Sequence, residues 1–70
     1  MGTLSVHLKI WETRSNKGLS LRQLERMSGI SKTTLNDLED EKRSPTLNQL
    51  EKIAIALNVK ISDLYDSEYK

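Results

Sequence analysis

The chain has no cysteine and no phenylalanine, and only one tryptophan, two tyrosines, one proline and three glycines. Without cysteine there is no disulfide and no thiolate zinc site to staple a small fold. Seventy residues support a single core near the size where stability becomes marginal. Helix packing, helped by association, must therefore hold it. His7 is the only histidine and is expected to be an exposed helix residue, so neither a metal cluster nor a Ser–His pair can be assembled. The scattered glycines make no phosphate-binding loop. No cofactor, no metal and no enzymatic role are expected. No apolar run approaches the roughly 20 residues of a membrane span, so no membrane contact is expected and the cytoplasm is the expected location. Met1-Gly2 opens like a myristoylation site, but Val6 stands where that pattern needs Ser or Thr.

Charge is present in quantity, but its sum is only +1. Residues 1–32 carry six basic and two acidic side chains, net +4, and residues 33–70 carry five basic and eight acidic ones, net −3. A basic half and an acidic half suit a protein that turns one face to phosphates while the other stays solvated; ordinary surface charge accounts for the asymmetry equally well.

The apolar spacing is helical throughout, with no strand alternation, and predicts one all-α domain over residues 1–70 with five helices. Helix one is expected from Leu4 to Ser15, ending at Asn16-Lys17-Gly18. Helix two covers about 21–27. Ser20 and Gln23 make a capping box, with Leu24 and Met27 or Ser28 on the buried side. Gly29 stops that helix in a left-handed conformation that only glycine reaches without steric cost. Ile30 plugs inward, Ser31 caps helix three (about 32–40), and Leu35 and Leu38 give that helix its apolar edge. Pro45 ends a loop from Glu41, because it forces the preceding residue out of helical geometry. Thr46 and Gln49 repeat the capping box and open helix four, whose stripe Leu47, Leu50, Ile53, Ala54 and Leu57 marks a buried face. Asn58 is the expected cap, Val59 and Ile61 plug inward, and a last short helix holds Asp63, Leu64 and Tyr65. Residues 65–70 are expected to fray.

Two short helices meeting at a glycine turn hold one helix proud of the body, where it fits the major groove of DNA. The signals around this turn form a longer series. Gly18-Leu19-Ser20, Leu24, Gly29-Ile30-Ser31, Leu35, Leu38-Glu39, Lys42-Arg43-Ser44-Pro45-Thr46-Leu47, Leu50, Ile53-Ala54, Ala56-Leu57-Asn58-Val59 and Asp63-Leu64 stand in order, with Arg14 before them. From Gly18 to Tyr65 this series resembles the DNA-binding domain of the lambda-type repressor and Cro family, the XRE-type helix-turn-helix. The resemblance implies a transcriptional regulator, acting as a repressor, that binds double-stranded DNA as a homodimer on a palindromic operator.

On a 3.6-residue period Lys32, Thr33, Asn36 and Asp37 face outward from helix three. The family's base-reading positions map onto Lys32, Thr33 and Asp37, with Asn36 beside them. Lys32 could donate to guanine, Thr33 could touch a thymine methyl, and Asp37 could accept from cytosine N4. Lys17, Arg22, Ser31, Lys42 and Arg43 are the candidates for phosphate contact. The resemblance further implies a partly buried salt bridge between Arg14 and Glu39, and a dimer contact near Leu57, Ile61 and Tyr65. Leu21 stands where the family often has a glutamine phosphate ligand, so Arg22 takes that role. Glu25 replaces the usual alanine and must snorkel outward or pair with a cation such as Lys32.

Helix one is two-faced. Val6, Ile10 and Thr13 form one side, and Leu4, Leu8 and Trp11 an almost opposite one. Either the C-terminal segment, with Tyr65 and Tyr69, covers that second side or a protein partner does. Together with the acidic cluster Asp37, Asp40 and Glu41, this feature supports a second reading: a protein-interaction module or antitoxin-like partner with weak or no DNA binding.

Overall fold

Among the described residues, three of the four α-helices begin at a hydroxyl side chain. Ser20 Oγ accepts from the Gln23 amide while Gln23 Oε1 accepts from the Ser20 amide, and Thr46 and Gln49 repeat the exchange. Ser31 Oγ accepts from the Thr34 amide. These bonds satisfy amides that the first helical turn leaves without partners. The computed structural model describes residues 6–69. In it, strand β1 (His7–Leu8) precedes helices α1 (Ile10–Asn16), α2 (Leu21–Ser28), α3 (Lys32–Glu39) and α4 (Leu47–Leu57). A single 3-10 turn (Ile61–Leu64) and strand β2 (Tyr65–Asp66) follow.

Helices α1, α3 and α4 end by one device. A left-handed residue lets the next amide fold back onto a carbonyl of the last turn, so Leu19 bonds Arg14, Lys42 bonds Asp37 and Val59 bonds Ala54. Gly18 and Asn58 supply that conformation at α1 and α4, and Glu41 supplies it at α3 with φ of 57°. Glutamate is an unusual residue there, since its Cβ crowds the backbone.

The core is wholly aliphatic: Ile10, Leu24, Ile30, Leu35, Leu38, Leu50, Ile53, Ala54, Leu57 and Leu64. No polar residue belongs to this cluster among the described residues. Helix α2 packs against both α3 and α4, and α1 leans on α3.

The structure corrects the sequence reading at both ends. Helix α1 starts at Ile10, not Leu4, because residues 7–8 pair antiparallel with residues 65–66, His7 opposite Asp66 and Leu8 opposite Tyr65. The Lys9 amide donates to the Leu64 carbonyl at 2.7 Å, which fixes the turn from strand into helix. Among the described residues the fold is therefore mostly helical with four α-helices; the expected fifth is a 3-10 turn that ends before Tyr65. The expected frayed tail likewise begins with two paired residues, while Lys70 lies outside the described residues. Leu8 is in a strand, so the expected Leu4, Leu8 and Trp11 face is not one helical stripe, and Leu4 lies outside the described residues. His7, exposed as expected, is likewise in that strand rather than a helix. Strand β2 reaches Leu8, but Tyr69 is exposed and Trp11 stays 55% exposed. Val6 and Met27 are half-exposed, and Leu47, at the first position of α4, is 76% exposed rather than part of the buried stripe.

Candidate nucleic-acid interface

The α2–turn–α3 unit is strapped by one side chain. Gly29 holds φ of 76° and donates its amide to the Glu25 carbonyl, which closes α2. The Glu25 carboxylate then crosses the turn and accepts from the Lys32 amide at 2.8 Å. Glu25, expected to snorkel outward or to pair with a cation such as Lys32, instead partners the backbone amide of Lys32. A carboxylate at a helix start is favoured by the exposed amides and the positive end of the dipole. Ile30 seats the turn in the core, and its amide donates to Ser28 Oγ. Glu25→Ala is expected to cost about 1–2 kcal/mol, as the loss of a helix cap does, with Glu25→Gln intermediate. Thermal melts followed by circular dichroism check this; three superimposable melts would remove the strap from the account.

With Leu35 and Leu38 fully buried, the opposite side of α3 faces solvent. Lys32, Thr33 and Asn36 are exposed there, and Asp37 is partly shielded. The cations expected at phosphate flank this face in sequence: Lys17 caps α1, Arg22 lies in the first turn of α2, and Lys42 and Arg43 follow α3. All four are exposed. Ser31 is exposed too, but its hydroxyl accepts from the Thr34 amide and donates to Thr34 Oγ1 at 3.0 Å, so its first use is to start α3.

Arg14 and Glu39 join α1 to the last turn of α3. Arg14 Nε donates to Glu39 Oε2 at 2.7 Å, Nη2 to Oε1 at 2.9 Å, and Nη1 to the Leu19 carbonyl at 2.8 Å. The side chains are 12% and 4% exposed. The hydrogen bonds to Glu39, opposed by burial and supported by its charge, raise the Arg14 guanidinium above its already high ordinary pKa.

Two contacts had no signal in the sequence. Asp37 Oδ2 accepts from Arg43 Nη2 at 2.9 Å, and Glu41 Oε1 accepts from the Leu8 amide at 3.2 Å, tying the loop after α3 to strand β1. Among the expected partner contacts, Leu57 is 1% exposed and belongs to the core, so it is not available to another molecule. Leu8, Ile61 and Tyr65 instead line one groove with Val6, Leu47 and Leu50. Among the described residues no group of side chains could hold a metal ion, and no helix is long and apolar enough to cross a membrane.

This arrangement has close counterparts. The transcriptional regulator SutR of Escherichia coli K12 is 42% identical over 59 residues, which cover 84% of this chain and 32% of SutR. The chain thus spans about a third of the length of that curated relative. The N-terminal DNA-binding domain of SinR from Bacillus subtilis superposes with a TM-score of 0.77 at 30% identity, over 89% of this chain and 91% of that one. The restriction-modification controller protein C.AhdI from Aeromonas hydrophila gives 0.76 at 29% identity, over 79% and 83%. A family model described as helix-turn-helix matches residues 12–64, from α1 through the 3-10 turn. The chain belongs to the helix-turn-helix family, of the lambda-repressor and Cro type.

Proposed function

We propose that this chain binds double-stranded DNA sequence-specifically and regulates transcription, presenting α3 to the major groove. The observation that carries this reading is the α3 surface itself. Its core side is locked by Leu35 and Leu38, its start by Ser31 and Glu25, and its end by Glu39, while Lys32, Thr33 and Asn36 stand in solvent. The likeness to SutR and to the SinR domain supports it. In the proposed complex a homodimer acts as a repressor in the cytoplasm. It sits on a palindromic operator with the two reading helices roughly 34 Å apart, one turn of DNA.

Three flanking cations per protomer that carry no other partner role here, Lys17, Arg22 and Lys42, set a quantitative expectation. Each phosphate neutralised adds about −0.9 to the salt slope, so binding of one protomer to random duplex should weaken roughly 40-fold between about 50 and 200 mM salt. Fluorescence anisotropy with a labelled duplex measures this. Absence of binding at low salt would overturn the reading. It would favour the second one, a protein-interaction module or antitoxin-like partner, which draws on the exposure of Trp11, Leu47 and Ile55.

A further inference from the structure

We propose that Asp37 and Arg43 act on DNA as one unit, in which Asp37 is a positioning residue and Arg43 reads a guanine. The proposal rests on DNA binding through α3 and reassigns two roles within it. The resemblance alone makes Asp37 a reader of cytosine and Arg43 a phosphate anchor.

The geometry points elsewhere. Asp37 lies one turn after Thr33 on the outward side of α3, where a bare carboxylate would repel phosphates. It is not bare, because Arg43 Nη2 donates to its Oδ2 at 2.9 Å. The same residue also holds the loop backbone, its carbonyl accepting from the Lys42 amide at 2.9 Å. Left-handed Glu41 makes that backbone turn, and its own carboxylate ties the turn to strand β1. Residue 43 therefore starts from a fixed point, and its guanidinium ends on the reading helix rather than flaring away from it.

The chemistry of arginine completes the unit. A guanidinium has five N–H donors in a planar fork, and the bond to Asp37 uses one of them. The second proton of Nη2 still forms a parallel pair with Nε or Nη1, the arrangement that guanine O6 and N7 accept. Arg43 is 53% exposed and Asp37 23%, so the pair contributes little to the free protein. In a groove cleared of water the same contact strengthens, and a side chain already held loses less freedom on binding. Lysine lacks the fork and cannot replace it.

A site selected by the wild-type chain from a random duplex pool, followed by affinities for all of its single-base variants, tests the unit. At one base pair, the preference for guanine should fall roughly 5- to 150-fold, the span of one good bidentate contact, in Arg43→Lys, Arg43→Ala and Asp37→Ala alike. The double variant should lose no more there than Arg43→Ala alone. Away from that base pair, Asp37→Ala should bind at least as tightly as wild type, because a negative charge has gone. Asp37→Leu keeps a side chain of similar size but has no acceptor for Arg43, and carries the same expectation if Asp37→Ala does not fold. The proposal is overturned if Arg43→Ala weakens every sequence by the same factor while Asp37→Ala independently changes a cytosine preference. In that outcome DNA binding by α3 stands and only the unit fails. If the wild-type chain selects no sequence, the unit and the DNA-binding reading fall together.

Discussion

Glu39→Ala is expected to lower the stability of the fold by about 3–5 kcal/mol and to weaken DNA binding with it. Glu39 is 4% exposed, and its removal leaves the Arg14 guanidinium, 12% exposed, with a single carbonyl partner. A charge in that position cannot recover its hydration, so the loss exceeds what the pair contributes when intact. A domain of this size has roughly 3–10 kcal/mol in total, and each kcal/mol moves the midpoint by about 4–8 °C. The variant should melt at least about 12 °C below wild type. A second variant separates orientation from stability. Arg14→Met with Glu39→Leu replaces the pair by apolar groups of similar bulk and should restore most of the melting temperature. If the ion pair sets the angle of α3 against α1, the double variant still binds DNA more weakly. Wild-type affinity in that protein would reduce the pair to packing, and a Glu39→Ala midpoint within a few degrees of wild type would dismiss it altogether.

Leu35→Ala is expected to cost about 2–5 kcal/mol, the range for an aliphatic side chain removed from a filled core. Leu35 is wholly buried and is, with Leu38, one of only two core anchors of an eight-residue helix. A cavity beneath it loosens the reading surface as well as the fold, so hydrogen exchange at α3 amides should rise more than at α4 amides. Leu47→Ala is the matched control. Being 76% exposed, Leu47 should change stability by less than about 0.5 kcal/mol. Equal losses in the two variants would mean that the division between core and surface drawn here is wrong.

That control also marks where periodicity stops being informative. Spacing alone puts Leu47 on the same stripe as Leu50, Ile53 and Leu57, yet among the described residues it stays 76% exposed at the first turn of α4. Helices α2, α3 and α4 were legible because their ends are set by side chains a few residues apart: Ser20 with Gln23, Ser31 with Thr34, Thr46 with Gln49, and the left-handed Gly29 and Asn58. The start of α1 was not legible, since it depends on His7 and Leu8 finding Asp66 and Tyr65 across nearly the whole chain. A strand of two residues leaves no alternation to read. The reading surface was legible as a face, from Leu35 and Leu38 pointing inward. Its internal wiring was not, because the Asp37–Arg43 contact depends on the turn after α3 and the Glu41–Leu8 contact on that turn and on the pairing of β1 with β2. Glu25 stands between these cases. The need for a partner was visible, but the choice of an amide over an ammonium depends on the path of the turn.

An interior built from leucine, isoleucine and alanine is optically silent. No aromatic ring lies in it, and Trp11 is already half-exposed among the described residues when the chain is folded. Unfolding should therefore shift the emission maximum of this protein only modestly, while its ellipticity at 222 nm collapses. The same silence makes Trp11 a clean reporter of surface events. A blue shift would come from whatever molecule settles over α1, without a folding signal beneath it.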